Sequence, residues 1–278
     1  MSLRMTTMAA IAVSALIASC SAIGAGRTEA PATMTPTPTV PAGGSPPATA
    51  SSAGAGPSTP APASTPSAVP SAGGSPAIDP ANFTTTIDNP WFPLVPGTTY
   101  TYHGTKDGKA AVDSYAVTDK TRTLDGVVCR VVEDRLVLDG KLEEETSDYY
   151  VQDVDGNVWY FGEDTKELDP KGHVTSREGT WHAGVDGAVP GIFMEADPTV
   201  GHAYPQEFYR GHAEDHFEVI DLNASVKVPF GAYSGVVQTK EWTPLEPGVL
   251  DHKYWVRGIG EVREVAVMGP TEELVLVD

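Results

Sequence analysis

Residues 79–278 predict an all-β or β-rich domain with at most one short helix, built as a curved antiparallel meander, a half-barrel or a barrel-like sandwich. Three observations predict it. Asp-Gly pairs recur at short intervals between runs rich in β-branched and aromatic residues, and a type I′ hairpin turn requires positive φ at both of its central positions. No stretch sustains a helical period with caps at its ends. The segment is also long enough to bury one sizeable core without metals or disulfides.

Taken in order, Asn89-Pro90-Trp91-Phe92-Pro93-Leu94-Val95-Pro96-Gly97 interleaves prolines with large apolar groups, so it should lie extended over the core rather than coil into a helix. Strands follow at 98–103, 111–118, 127–138, 141–152 and 157–161. They are separated by Asp107-Gly108, Asp125-Gly126, Asp139-Gly140 and Asp155-Gly156. Residues 162–201 carry many breakers. A short strand is expected near Trp181-His182, and 183–194 reads as an apolar loop of the kind that usually has a function or is ordered by packing. Strands resume at 203–209, 214–222, 225–228, 235–242, 250–257, 261–267 and 272–277.

Ahead of this domain, residues 1–19 hold one early charge, Arg4, and then an uncharged apolar and small-residue run, as in a secretory signal sequence. A membrane span needs about 20 apolar residues, and this run is shorter. Ile17-Ala18-Ser19-Cys20 resembles the lipobox of bacterial lipoproteins. That resemblance implies acylation of Cys20, with a fatty chain such as palmitate, and attachment to the outer, extracytoplasmic side of a cell membrane. Residues 28–77 are almost entirely Pro, Ala, Ser, Thr and Gly and bury too little apolar surface to offset the entropy of ordering. The expected organisation is a signal peptide at 1–19, a lipidated N-terminus and disordered tether at 20–78, and a single β domain at 79–278.

The formal charge is −19, from 18 Lys and Arg against 37 Asp and Glu. Only Arg4, Arg27 and Glu29 precede Asp79, so the domain carries nearly all of the acid. Such a surface repels nucleic acid and anionic headgroups. Cys129 is the one cysteine besides Cys20. It lies in a Val-rich strand pattern, which predicts a buried, unreactive thiol without a disulfide partner.

A second likeness rests on Val226-Lys227-Val228-Pro229-Phe230-Gly231-Ala232-Tyr233 and on Lys253-Tyr254-Trp255-Val256-Arg257-Gly258-Ile259-Gly260-Glu261-Val262. It extends to the blocks at 149–162, 181–190 and 213–215. Together these resemble uncharacterised families of exported bacterial β-domains, with Arg257 standing where such families more often have proline. The resemblance implies a curved antiparallel sheet or half-barrel and transfers no catalytic residue.

Of the candidate sites, His212, Glu214 and His216 fall on one strand face at two-residue spacing, and with His202 they form a donor set suited to Zn or Cu. Asp153-Val154-Asp155-Gly156-Asn157 resembles the start of a calcium loop, but its glycine comes too early, so a hairpin turn is expected. Trp181, Ile192, Phe193 and Met194 are placed at the mouth of a pocket, if the sheet encloses one. No nucleophile elbow, zinc helix, phosphate loop or dinucleotide fingerprint is present, and no catalytic residue is assigned. Three functions stay open. One is an envelope protein binding a small hydrophobic or glycan-derived ligand or a partner protein. Another is an envelope hydrolase using Glu207, His212, Glu214 and Asp215. The last is a metal-binding or structural envelope protein.

Overall fold

The computed structural model describes residues 78–278. The signal sequence, Cys20 and the tether lie outside the described residues. A single 3-10 turn at Pro80–Asn82 is followed by β1 (Phe83–Thr84), β2 (Thr99–Lys106), β3 (Lys109–Leu124), β4 (Val127–Leu138), β5 (Lys141–Asp153) and β6 (Val158–Leu168). Next come β7 (Val174–Ser176), β8 (Trp181–His182), β9 (Val189–Met194), β10 (Ala203–Pro205) and β11 (Glu207–Phe208). The chain finishes with β12 (His216–Val228), β13 (Gly231–Trp242), β14 (Leu250–Val256), β15 (Gly260–Met268) and β16 (Glu272–Leu276). The fold is all-β, as its turn chemistry predicts.

All pairings are antiparallel, and one sheet runs β10-β12-β13-β14-β15-β16-β2-β3-β4-β5-β6-β9-β11. Its two ends meet in one short stretch of chain. Ala203–Pro205 pairs with β12, whereas Glu207–Phe208, two residues on, pairs with β9. Gln206 sits at the seam. Its backbone N–H donates to the Asp215 carbonyl at 2.8 Å, and its side-chain Nε2 donates to the Phe193 carbonyl at 3.3 Å. The sheet is thereby nearly closed into a barrel. Gly191 allows the approach, since a Cβ there would stand 2.4 Å from the Gln206 carbonyl oxygen.

Three of the four Asp-Gly pairs between the predicted strands adopt positive φ at both residues: 50° and 76° at Asp107-Gly108, 42° and 79° at Asp125-Gly126, and 49° and 75° at Asp139-Gly140; Asp186-Gly187, in the 183–194 segment, does so too. In the fourth turn only Gly156 does, at 88°. There Asp153 organises the chain, accepting from the backbone N–H groups of Asp155 and Asn157 and from the Trp159 indole. The expected turn forms, and the carboxylate is committed to it.

The β3–β4, β5–β6, β12–β13 and β14–β15 turns share the lower end of the barrel, and the β2–β3, β4–β5, β13–β14 and β15–β16 turns share the upper end. The proline-rich segment closes the lower end. Asn89 Oδ1 accepts from the N–H groups of Trp91 and Phe92, its Nδ2 donates to the Gly156 carbonyl, and the Pro90 carbonyl accepts from Gly258 N–H. These bonds hold Phe92 inside, with ring centroids 4.7 Å from Phe193, 5.4 Å from Tyr150 and 5.7 Å from Trp255.

Cys129 is fully buried in β4, and burial pushes its thiol up to about 12. Two expectations need correction. The apolar loop at 183–194 ends in strand β9, whose residues 189–194 pair with β6 on one side and β11 on the other and are mostly buried between them. The single strand at 203–209 is two, each serving a different edge.

Candidate functional site

The barrel interior is divided along its axis. The lower half is aromatic, built from Phe92, Tyr115, Tyr150, Tyr160, Phe193 and Trp255, all buried. It is also filled: the gap lined by Phe92, Tyr102, Tyr115, Phe193 and Glu261 has about 10 Å³ of space, roughly the room of one water molecule.

The upper half is lined by carboxylates. Inward positions two residues apart carry Glu144, Thr146 and Asp148 on β5, Glu163 and Thr165 on β6, Thr239 and Glu241 on β13, and Asp251 and Lys253 on β14. Asp113 on β3, Asp134 on β4, Glu207 on β11, Asp215, Glu264 on β15 and Glu272 on β16 join them, with Glu261 at the border of the aromatic half. Among the described residues, twelve buried carboxyl groups are matched by two buried ammonium groups, Lys106 and Lys253. Lys106 pairs with Glu272 at 3.1 Å. Lys253 lies 3.1 Å from Glu241, 3.7 Å from Glu264 and 3.9 Å from Glu261.

This crowding reshapes the acid–base chemistry. Burial, reinforced by the neighbouring Asp134, holds Asp148 well above the usual carboxylate range. Burial with the Asp148 charge does the same to Glu163, and burial with Asp215 and Glu163 does so to Glu207. Glu144 is raised to about 7, chiefly by burial, and so is Glu261 although Lys253 opposes the shift. Asp251 is raised to about 6 for the same leading reason. Burial alone would lower Lys253; Glu241, Glu264 and Glu261 overcome it and hold the ammonium firmly charged.

Hydrogen bonds satisfy only part of this set. Tyr160 OH donates to Asp148 Oδ1 at 2.7 Å and lies 3.1 Å from Glu163 Oε2, and Thr146 Oγ1 donates to Glu144 Oε1 at 3.1 Å. The second oxygens, Asp148 Oδ2 and Glu144 Oε2, are buried without a protein donor. Asp134 neighbours Asp113 and pushes its carboxyl group further up, and Asp215 does the same to Glu207, which lies beside the Trp181 indole.

The residues proposed from the sequence as metal ligands have separate partners. His202 pairs with Glu195 at 2.9 Å, His212 stacks on Tyr209 at 4.3 Å, Glu214 accepts from Gly211 N–H at 2.7 Å, and His216 stacks on Trp242 at 5.4 Å. Among the described residues no group of three or more His, Cys, Asp or Glu is arranged to hold a metal ion. Of the carboxylates named with a hydrolase in mind, Glu207 and Asp215 are electrostatic neighbours, both buried rather than set across an open cleft. Trp181, Phe193 and Met194 are buried packing groups rather than a rim, and Ile192 is half-buried.

Outside the barrel, Asp164 draws together Arg122, Tyr149 and His182. Tyr149 OH donates to it at 2.6 Å, His182 Nε2 lies at 3.0 Å, and Arg122 stacks over the Tyr149 ring at 4.8 Å. The cluster pins β8 to the outer face of β3, β5 and β6.

No protein-family profile matches this chain, and no curated protein sequence matches it significantly. Two solved structures are similar to it. One is a presumed exported protein with a YmcC-like fold from Bacteroides fragilis, at 16% identity and a TM-score of 0.39 over 67% of this chain and 97% of that one. The other is a presumed lipoprotein from Parabacteroides distasonis, at 14% identity and a TM-score of 0.34 over 67% of this chain and 96% of that one. At this distance the likenesses bear no weight below, where the chain's own residues decide.

Proposed function

We propose that this chain is an extracytoplasmic lipoprotein, anchored through Cys20, whose barrel binds a small organic cation, an amine-bearing envelope molecule, in its carboxylate-lined upper half. The observation that carries the reading is the buried imbalance of twelve carboxyl groups to two ammonium groups, with Glu144 Oε2 and Asp148 Oδ2 lacking donors. Buried acids cost stability unless paired, and a set of them in one enclosure is a functional-site signature. An ammonium supplies both the missing positive charge and the missing N–H donors. The filled aromatic half argues against an acyl chain as cargo. The lipobox-like Ile17-Ala18-Ser19-Cys20 and the long Pro-rich stretch after it support a tethered, exported head.

Native mass spectrometry of the full-length protein purified from its own envelope tests the binding. An amine-bearing adduct that is lost from Asp148→Asn supports the reading. A co-purified acyl lipid, or no adduct together with no response to added spermidine, overturns it. Fatty-acid labelling that persists in Cys20→Ala would overturn the anchor.

A further inference from the structure

We infer that the cation is an extended polyamine, laid lengthwise along the β3–β5 wall with one nitrogen at each of three successive rows of acidic oxygens. This rests on the cation-binding reading above and names its ligand class. The rows follow from strand register. Asp113 pairs with Leu136 and Leu136 with Glu144; one step down, Asp134 pairs with Thr146; a further step down, Val132 pairs with Asp148. Residues two apart on a strand are separated by about 7 Å, so the three rows span roughly 13 Å from the upper end toward the aromatic half.

Each row keeps an oxygen that the protein leaves without a donor. These are Asp113 Oδ1 and Glu144 Oε2 in the first row, Asp134 Oδ1 in the second and Asp148 Oδ2 in the third. None of the four residues is more than 8% exposed, so water cannot freely serve them either. Thr146 and Tyr160 donate to the other oxygens of Glu144 and Asp148, which leaves one acceptor of each facing nothing. The internal ammonium groups are committed elsewhere, Lys106 to Glu272 and Lys253 to Glu241, Glu261 and Glu264. Among the described residues neither is ion-paired to this wall. A compact cation reaches one row. A chain with four methylenes between its nitrogens reaches from one row to the next. Down β4 the inward residues run Leu136, Asp134, Val132, so a middle nitrogen meets an acid while the methylenes on either side meet carbon.

Calorimetry of the full-length protein at pH 7 with butylamine, putrescine and spermidine tests the row spacing. Hexaamminecobalt(III) is the control, since it carries spermidine's three charges in compact form. Affinity should rise about tenfold with each added nitrogen, the worth of one hydrogen bond to a charged group. Hexaamminecobalt(III) should bind no better than butylamine. Asp134→Asn should lower spermidine affinity about tenfold, whereas Glu218→Gln, on the outer face beside Lys240, should leave it unchanged. Butylamine or hexaamminecobalt(III) binding as tightly as spermidine overturns the extended ligand and leaves the cation reading standing. Equal spermidine affinity in wild type and Asp134→Asn, or equal loss in both variants, overturns the seating along this wall. No binding by any of the four probes ends both readings together.

Discussion

The two halves of this barrel are built on the same strands and obey opposite rules. Along β14 the inward residues run Asp251, Lys253, Trp255, and along β5 they run Glu144, Thr146, Asp148, Tyr150, so a single strand passes from charge to aromatic ring within a few residues. The lower half gains from dispersion and apolar burial, and its rings meet at 4.7–6.4 Å. The upper half gains little from burial and holds groups that would be better solvated outside. Stability therefore resides at the plugged end, leaving the other end free for chemistry that costs stability.

The comparison can be broken from the lower half first. Phe92→Ala should cost about 3–5 kcal/mol in urea unfolding, because the plug loses its only inward ring and leaves a cavity among Tyr150, Phe193 and Trp255. A loss below about 1 kcal/mol would show that the plug is a lid and not part of the core.

In the upper half the largest effect belongs to Lys253→Met, which strands Glu241, Glu261 and Glu264. The cost should be about 3 kcal/mol at pH 8 and much smaller at pH 5, where those acids accept protons instead. A cost that does not depend on pH would mean that the lysine stem, rather than its charge, is what matters.

The pH dependence of the wild type comes next. Glu144 and Glu261 rise from 4.5 to about 7 on folding, and Asp251 rises from 3.8 to about 6. The folded protein therefore binds protons that the unfolded chain has released. This stabilisation is complete below about pH 4 and is lost as pH climbs through 7, with Glu144 alone contributing on the order of 3 kcal/mol. The melting temperature should accordingly fall between pH 5 and pH 8, and a rise over that interval would contradict the buried acids. The smallest effect is that of Glu144→Gln, which removes this one titration and should therefore gain roughly 2 kcal/mol more at pH 8 than at pH 5.

Most of the fold was legible because turn chemistry is local. Asp107-Gly108, Asp125-Gly126 and Asp139-Gly140 specify positive φ by their own composition, and the meander follows from them. The polar interior was not legible. Alternation in Glu144-x-Thr146-x-Asp148 reads as a solvated face under the rule that polar residues point outward. Here Tyr149, on the other face, is buried under the β8 excursion, where it meets Asp164 and the His182 ring. Irregular register shifts the parity further, as between Asp148 and Tyr150, and at Gly162, where a Cβ would stand 2.3 Å from the Trp181 carbonyl oxygen. The seam was missed because Gln206 changes partners in mid-strand, which no periodicity records. The one available hint was the acidic charge concentrated in 79–278, which reads first as solubility.

Gln206 also makes the barrel separable. Most of the wall is stitched by longer ladders, but here two and three residue pairs hold it shut, in the range of the three pairs that join β6 to β9 and β15 to β16. Amide exchange should therefore be fastest along 203–208 and slowest in β4 and β5. A wall that unfastens along one line gives a small guest a doorway beside Glu207, with no need for the tight turns at either end to part.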